Sequence, residues 1–429
     1  MAPGAGFLYL EEMQPMQVLL INPPIYDFTA YDFWLRPYGM LRVAGRIRHC
    51  CRLSFFDYLV SERRDAWGRG RFPSLEIPKP KSLSDIPRRF RRFGKPRSQF
   101  REFLNGRSFD VALIQTMMTY WYPGIREVIE DLRELQPSCR IVLGGVYATL
   151  CPSHARSLDA DLVVEGSDLA PLWRFLSIEP EEAIPFWPPE SGEAGVLKIT
   201  EGCPYACTYC SAPLLWSGFT RRPTSVCLDE LGHMVSLGLR NVAFYDDALL
   251  YQPEMALVPF LEKVLRSNYQ VSFHTPNALN ARFVTPELAR LMLRAGFASF
   301  FFGLESSGLA WQRSTGGKVS SEEFSAAVGY LREAGAGSIV TYVILGHPDS
   351  DGQELESSIH FAHKCGTRVL LSEFSPIPGT PDGEKSRKWA ELEEPLSHNK
   401  TAFTIRRLGE AYVNDLKQQT RRLNASLIR

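Results

Sequence analysis

Three cysteines stand close together near the middle of the chain, in the stretch TEGCPYACTYCSAP that begins at Thr200. Their spacing, C-x3-C-x2-C, places Cys203, Cys207 and Cys210 on one short loop. Three thiolates on such a loop can bind three irons of a 4Fe-4S cube and leave the fourth iron open to an outside ligand. A structural zinc site normally needs four ligands, and no nearby Cys or His supplies a second pair. The motif therefore predicts an iron-sulfur cluster with one open iron.

The composition is that of a globular protein. The chain has 429 residues, 48 Lys and Arg balanced by 48 Asp and Glu, and 45% apolar residues. This is ample for packed cores, and the length predicts two or three domains. Zero net charge removes the simplest electrostatic argument for a nucleic-acid or membrane partner. Since no apolar run reaches membrane-spanning length and no leader pattern opens the sequence, we expect a cytoplasmic protein without a membrane partner.

The first part of the sequence alternates short apolar runs with helix-like segments. Continuous apolar strands separated by amphipathic helices are typical of a parallel sheet covered on both faces. We therefore predict an α/β, doubly wound, Rossmann- or flavodoxin-like domain over 17–177, after an N-terminal tail at 1–16. Its predicted strands are 17–21, 52–58, 110–115, 140–145 and 161–166.

A basic segment, IPRRFRRFGKPRSQFR, interrupts this domain at 86–101 and contains no acidic residue. Phe90, Phe93 and Phe100 alternate with its charges, a composition that would suit phosphate contact with base stacking. The alternative, which we favour, is an insertion whose phenylalanines pack on the domain while its arginines face solvent.

A second series of strands follows a segment rich in proline and glutamate. We predict a linker at 178–194, six β/α units over 195–380 that form a partial TIM-type barrel, and a C-terminal helical cap at 381–429. In such a barrel the active site lies at the carboxyl ends of the strands, and the cysteine loop follows the first of them. The predicted strands are 196–200, 242–247, 271–275, 299–305, 338–346 and 369–374.

With its cysteine loop after the first barrel strand, the sequence resembles the radical S-adenosylmethionine (SAM) superfamily. The resemblance implies that the amino and carboxylate groups of SAM chelate the open iron, and that reductive cleavage of SAM yields a 5′-deoxyadenosyl radical, which abstracts hydrogen from an unreactive carbon. Tyr209 stands where the family has an aromatic residue beside the adenine. YDD at 245–247 stands where the family's Gly-Gly-Glu motif meets the SAM amino group; it keeps a carboxylate, Asp246 or Asp247, but not the glycines.

Further strand ends extend the resemblance over the whole barrel. GLES at 303–306 resembles the family's ribose- and methionine-contacting position, with Glu305 as the contacting residue. VILGHP at 343–348, which contains Gly346, resembles the fifth-strand glycine motif, and SPIPGTP at 375–381 resembles the sixth-strand exit. These motifs assign no catalytic side chain. His274, ending the third predicted strand, stands where barrel chemistry collects, although we expect it to be a core histidine.

The front domain resembles the cobalamin-binding subclass of the superfamily. It opens with VLLINPP and continues to LGGVYATLCP, in which Gly144 and Gly145 match a glycine pair that lets the backbone approach the corrinoid. The sequence has no D-x-H-x-x-G motif, which would supply a histidine ligand to cobalt. Two alternatives remain: cobalamin binds here without a protein histidine, which we favour, or the domain holds substrate instead.

The resemblance implies an enzyme that uses SAM, a 4Fe-4S cluster and cobalamin to functionalise an unactivated carbon, most simply by methylation. A small-molecule or peptide substrate and a low-potential electron donor, such as flavodoxin or ferredoxin, are the implied partners. One alternative acts on RNA, as the methylthiotransferase branch does, but we do not expect a nucleic-acid partner because the extra C-terminal β-barrel module of that branch is missing. The others are plain hydrogen abstraction without cobalamin, and an electron carrier, although electron carriers usually close all four irons with cysteine.

Overall fold

Two parallel sheets form the framework of the chain, and smaller sheets of two or three strands accompany them. The computed structural model describes residues 14–188, 192 and 194–427. Most of the predicted N-terminal tail (1–16) therefore lies outside the described residues, as do 189–191 and 193 of the predicted linker. In chain order the strands are β1 (Met16–Asn22), β2 (Ile25–Asp27), β3 (Cys51–Asp57), β4 (Arg63–Arg64), β5 (Gly70–Arg71), β6 (Ser74–Glu76), β7 (Arg91–Phe93), β8 (Val111–Thr116), β9 (Arg140–Gly145), β10 (Leu162–Val164), β11 (Ala194–Leu197), β12 (Thr200–Glu201), β13 (Thr220–Arg221), β14 (Asn241–Phe244), β15 (Ser272–His274), β16 (Phe297–Glu305), β17 (Ile339–Leu345) and β18 (Arg368–Glu373).

The helices connect these strands, and several begin at side-chain caps. Ser320, for example, accepts the backbone N–H of Glu323, whose side chain accepts the N–H of Ser320 in return, a reciprocal capping box. In chain order the helices are α1 (Tyr38–Ile47), α2 (Arg97–Leu104), α3 (Tyr122–Leu135), α4 (Val146–Leu150), α5 (Pro152–Arg156), α6 (Ala170–Leu176), α7 (Ala212–Leu215), α8 (Thr224–Ser236), α9 (Leu257–Ser267), α10 (Pro286–Arg294), α11 (Leu309–Ser314), α12 (Ser321–Glu333), α13 (Gly352–Lys364), α14 (Pro381–Lys385), α15 (Lys400–Leu408) and α16 (Glu410–Ser426).

The first sheet has five parallel strands in the order β10-β9-β8-β1-β3. Successive side chains of a strand point to opposite faces. In β1, Val18 and Leu20 accordingly join one apolar core and Leu19 and Ile21 join another, so both faces of the sheet are covered. This order is that of a flavodoxin-like sheet, which confirms the predicted doubly wound fold.

The second sheet has six parallel strands in chain order, β11-β14-β15-β16-β17-β18, with helices between them. Its outer face carries an aromatic core in which Phe244 packs on Phe273 and Phe297 at ring-centroid distances of 5.2 and 5.6 Å. Strands that pair in sequence order and alternate with helices form a partial barrel. The prediction of six β/α units is therefore confirmed.

An aromatic wedge, formed by Trp34, joins the front sheet to the interior of the barrel. The fully buried ring of Trp34 stacks on His274 with 4.4 Å between ring centroids, and its Nε1 donates to the carbonyl of Trp67 at 2.7 Å. The ring nitrogens of His274 hydrogen-bond to Ser299 at 2.8 Å and to Asn241 at 3.1 Å. Burial lowers the pKa of His274 to about 3, so this side chain is a neutral core histidine.

The basic segment at 86–101 packs against α3. Phe90, Phe93 and Phe100 are buried, as expected. The expectation that the arginines face solvent fails for Arg92, which is buried because it pairs with the buried carboxylate of Glu127 on α3. The other arginines with ion pairs keep part of their side chains exposed, and Arg89 is 73% exposed. The ion pairs of the segment include Arg88–Glu410, Arg89–Glu76, Arg92–Glu127, Arg97–Asp131 and Arg101–Asp131.

The predicted linker and cap both pack on the framework. In the part of the linker at 178–188, which we call the strap, the N–H of Phe186 donates to the carbonyl of Leu41 at 2.9 Å and Trp187 is buried. Ala402 of α15 joins the core of the front sheet, and Asn424 of α16 exchanges two hydrogen bonds with the backbone of β18. The strap is thus a packed segment rather than a free tether, while the domain boundaries at 177, 194 and 380 stay predictions.

No helix that the described residues form is both long enough and apolar enough to cross a bilayer.

The Glu127–Arg92 pair gives a stability prediction. Glu127→Gln leaves a buried guanidinium without its counter-charge, since both side chains are less than 10% exposed. We expect the free energy of unfolding in denaturant to fall by about 3–5 kcal/mol. The matched control is Glu130→Gln on the same helix, where an exposed carboxylate lies 3.3 Å from Arg97; it should cost less than about 1 kcal/mol. Equal losses in the two variants would contradict this account.

Candidate functional site

The cysteine loop follows β11, the first barrel strand, between β12 and β13. The thiols of Cys203, Cys207 and Cys210 are all free, and Cys207 is buried. Burial raises the pKa of each thiol, and each lies close enough to another to raise it further, while the Lys318 cation opposes both effects at all three. The loop therefore gathers three thiols around one positive charge.

The donor set fits a cluster rather than a single ion. Among residues 14–188, 192 and 194–427, no three His, Cys, Asp or Glu side chains converge as ligands of one metal ion. In a 4Fe-4S cube each thiolate binds a different iron, so its ligands stand apart around the cube. Three free thiols on one loop suit such a cube with one open iron, and the assignment of these cysteines as iron ligands stays a prediction.

Lys318, which the sequence analysis did not identify, is held beside the cysteines by two glycines. Gly316 and Gly317 have positive φ values of 119° and 60°. A Cβ at Gly316 would stand 3.2 Å from the Cα of Cys207. Glycine is needed at this turn because the turn lies directly on the cysteine loop. The available signal in the sequence was the pair of glycines before a lysine, shortly after the GLES motif.

Glu305 ends β16 in a strained conformation that presents its carboxylate to Lys318. Its φ is +65°, which costs a residue other than glycine about 1–2 kcal/mol. The pairing of β16 with β17 shifts register between Gly303 and Glu305. A Cβ at Gly303 would stand 2.5 Å from Glu305 Oε1 and 3.2 Å from Lys318 Nζ, so this glycine makes room for the pair. Burial raises the pKa of Glu305 to about 7, and Lys318 opposes the rise.

The two carboxylates of YDD take different roles. Asp246 is buried, and its Oδ1 accepts two backbone N–H groups and the hydroxyl of Thr200, which anchors the start of the cysteine loop. Its Oδ2 has no hydrogen-bond partner among the described residues, and burial raises its pKa to about 6. Asp247 pairs with Lys198 at 3.2 Å and acts electrostatically on Cys203 and Cys210. Asp246 therefore anchors the loop and keeps one free acceptor, whereas Asp247 faces the thiols.

Tyr209 lies in a packed aromatic group. Its ring stacks on Trp311 with 5.8 Å between centroids and meets the ring of His347 edge-on at 6.3 Å. Its hydroxyl hydrogen-bonds to the thiol of Cys207, and burial raises the pKa of Tyr209 far above its ordinary value. Tyr209 is the residue predicted to lie beside the adenine of SAM, and Trp311 already covers one face of its ring.

The predicted glycines differ in what surrounds them. Gly346 has a φ of +91°, and a Cβ there would stand 2.7 Å from the hydroxyl of Thr404, so the packing of α15 accounts for this glycine. Gly145 has a φ of +115°, and a Cβ there would stand 2.3 Å from the carbonyl oxygen of Thr116. At Gly144 a Cβ would meet only one side-chain carbon, at 3.9 Å. Of the three positions, Gly144 is the one with open space.

A buried pair, His347 and Asp382, holds the cysteine loop from behind. Nδ1 of His347 accepts N–H groups from Trp311 at 3.3 Å and Asp349 at 3.2 Å, so Nε2 carries the proton and donates to Asp382 at 2.9 Å. Asp382 also accepts the hydroxyl of Thr208, within the cysteine loop. Burial alone would raise the pKa of Asp382, but the bonds from His347 and Thr208 hold it well below its ordinary value.

This pair was also missed from the sequence. His347 lies inside VILGHP, and Asp382 directly follows SPIPGTP. Both motifs were noted for their glycine and proline, whereas the structure shows that they bring a histidine and a carboxylate together.

The carboxyl ends of the front-sheet strands, where a corrinoid is expected, contact two other parts of the chain. Helix α4, at the end of β9, packs against α7, directly after the cysteine loop. The neighbouring loops are covered by the cap, since Asn399 donates to Asp27 at 2.9 Å and His398 hydrogen-bonds to Thr119 at 3.0 Å. The side at Gly144 is therefore the part of this edge that suits a cofactor, and it adjoins the helix that follows the cysteines.

The chain has recognisable relatives. Residues 197–362 match the family model of the radical SAM superfamily. The threonylcarbamoyladenosine tRNA methylthiotransferase MtaB of Thermotoga maritima is 23% identical over 281 residues, which cover 60% of this chain and 64% of that protein. The chain thus matches less than two thirds of the length of this relative.

Solved structures share the fold of both sheets. The radical SAM methyltransferase TsrM of Kitasatospora setae, with cobalamin and a 4Fe-4S cluster bound, has a TM-score of 0.65 at 13% identity, covering 87% of this chain and 75% of that one. The cobalamin-dependent SAM radical enzyme OxsB, with aqua-cobalamin and SAM bound, has a TM-score of 0.58 at 12% identity, covering 96% and 61%. Residues 197–362 therefore match a radical SAM domain, and the chain has the fold that these two solved structures share.

Proposed function

We propose that this radical SAM enzyme methylates an unactivated carbon of a small-molecule or peptide substrate, with a 4Fe-4S cluster, SAM and cobalamin as cofactors. The observation that carries the proposal is the loop of three free thiols at the carboxyl end of β11, grouped around Lys318. The likeness to TsrM and OxsB supports cobalamin, and the likeness to the methyltransferase TsrM supports methyl transfer. A low-potential donor such as flavodoxin or ferredoxin completes the system.

The residues around the loop have separate tasks in this proposal. When bound, the cluster supplies a single low-potential electron to SAM, which is the chemistry that generates a carbon radical. Lys318 offsets the negative charge of the thiolates and of Glu305, and so lowers the cost of gathering them in a half-buried loop. The free Oδ2 of Asp246 and the carboxylate of Asp247 are acceptors suited to the ammonium group of SAM.

The interior of the barrel sheet excludes water. Phe302 packs outward on Phe324 of α12, so Phe301 points inward, where it meets Phe33 at 5.2 Å and Trp34 at 6.4 Å between ring centroids. The Trp34 wedge thus fills the space that solvent would otherwise occupy. A dry interior protects a radical from side reactions.

A second candidate, methylthiolation of RNA, is favoured by the similarity to MtaB, whose name gives a tRNA substrate. Against it, Arg92, Arg97 and Arg101 of the basic segment pair with carboxylates of α3. Arginines already neutralised within the protein add little to the attraction of phosphates. RNA affinity that falls steeply with salt would favour this candidate over the proposal.

The cysteine loop gives the first functional prediction. Replacing Cys203, Cys207 or Cys210 by Ala removes an iron ligand, so each variant should form no 5′-deoxyadenosine from SAM under strong reductant. Mass spectrometry of anaerobic reactions measures this product. The matched control is Cys50→Ala, at an exposed cysteine outside the loop, which should keep full activity. Product from all three loop variants would overturn the proposal.

Metal content tests the corrinoid. After anaerobic purification from cells supplied with cobalamin, we expect about four irons and about one cobalt per chain. Gly144→Leu fills the open side of the sheet edge and should lower cobalt without lowering iron. Iron without cobalt in the unaltered chain would remove cobalamin and methyl transfer from the proposal and leave plain hydrogen abstraction.

The His347–Asp382 pair predicts a positioning role for Thr208. Thr208→Val keeps the size of the side chain but removes the hydroxyl that Asp382 accepts. Losing one hydrogen bond to a buried carboxylate costs about 1–3 kcal/mol of stability. We expect a lower melting temperature and faster loss of iron to a chelator. Thr208→Ser keeps the hydroxyl and should restore both values, and a valine variant that behaves like the serine variant would refute this role.

A further inference from the structure

A cavity of about 110 Å³ lies at the carboxyl end of β3, apart from the cysteine loop. The sheet order places β3 at one edge, three strands from β9 and Gly144, which is about 14 Å at the usual strand spacing. The cavity therefore lies on the same carboxyl edge of the sheet as Gly144 but to one side of it. Its volume holds several water molecules, which is enough for one carboxylate or phosphate group. The polar residues that line it include Arg36, Asp57, Arg64, Lys95 and Trp187.

Two buried hydrogen-bond donors at this cavity have no partner among the described residues. Arg36 is 6% exposed and Trp187 is 3% exposed. Two nitrogens of Arg36 are engaged, Nη1 with Asp32 at 3.0 Å and Nε with the carbonyl of Ala194 at 3.1 Å. Its Nη2 is unpaired, and so is Nε1 of Trp187. Because buried donors are nearly always paired in folded proteins, two of them at one cavity indicate a missing acceptor.

Lys95 supplies a cation to the cavity, and Asp57 is a carboxylate that lines it. Arg64 also lines the cavity, but it lies 3.7 Å from the carboxylate of Asp32. Burial raises the pKa of Asp57, which favours its neutral form, and its Oδ1 is already bonded to Asn22 at 2.8 Å. The charge of Arg36 is balanced by Asp32. The Lys95 cation, the unpaired Nη2 of Arg36 and the indole N–H, which can only donate, suit an anionic acceptor.

We propose that this cavity binds a small metabolite through a carboxylate or phosphate group, with Arg36, Trp187 and Lys95 as the donors. Arg36 also connects the cavity to the YDD motif at the end of β14. Its backbone N–H donates to the hydroxyl of Tyr245, the first residue of that motif, at 3.0 Å. The site needs neither the cluster nor SAM, so it stands independently of the proposed methylation.

The test is isothermal titration calorimetry of the full, cluster-loaded chain with inorganic phosphate and, separately, with succinate at constant ionic strength. We expect saturable binding of one ion per chain, and the tighter of the two probes identifies the group. Trp187→Phe removes the N–H and keeps most of the ring, and Lys95→Met removes a charge; each should weaken binding about tenfold. Circular dichroism and the melting temperature check that both variants fold.

The matched control is Arg89→Met, which removes a charge from the same insertion at a side chain that is 73% exposed and outside the cavity. It should leave the dissociation constant unchanged. Binding of neither anion to the unaltered chain would overturn the proposal. Equally tight binding by the Lys95→Met variant would also overturn the proposal, because Lys95 is half-buried and the substitution should not unfold the chain. Because the titration involves no turnover, failure of the methylation proposal would leave its outcome unaffected.

Discussion

The grouping of three thiols and one carboxyl group at the carboxyl end of the barrel is the constraint on which the rest of this structure depends. Three thiols and the Glu305 carboxylate lie near each other where burial disfavours their charged forms. Lys318 supplies the opposing charge, and Gly316 and Gly303 provide the space that brings it close. Replacing either glycine by a larger residue would separate Lys318 from the groups it stabilises. The barrel is thus built around an electrostatic balance at its carboxyl end.

The two sheets keep that balance in place from opposite sides. From the barrel, Asp382 accepts hydrogen bonds from His347 and from Thr208, which ties the cysteine loop to the exit of the last strand. From the front, Trp34 enters the barrel and stacks on His274, while the strap packs along α1. Each sheet is therefore held in place partly by contacts with the other parts of the chain. The cysteine loop, the Gly144 edge and the cap meet because each part is fixed by contacts with another.

Strands and the cysteine motif could be predicted from the sequence because their signals are local. Apolar runs marked every strand of both large sheets, and spacing alone singled out three cysteines. Lys318 and the His347–Asp382 pair could not be predicted in the same way, since Thr208 and Asp382 are 174 residues apart and no periodic pattern links them. Composition likewise could not show that Arg92 is buried, because its partner, Glu127, lies on α3. Within YDD, the sequence did not show which of the two carboxylates, Asp246 or Asp247, anchors the cysteine loop.

The Trp34 wedge also has a consequence for how the chain reaches its native state. Trp34 is made early in synthesis, whereas His274 and Phe301, its partners in the barrel, are made much later. Until they appear, a large apolar side chain at the start of the protein has nowhere to pack, which exposes the nascent chain to aggregation. Contacts of such high sequence separation also slow folding. Front sheet and barrel should accordingly melt together in one cooperative transition rather than as two independent modules.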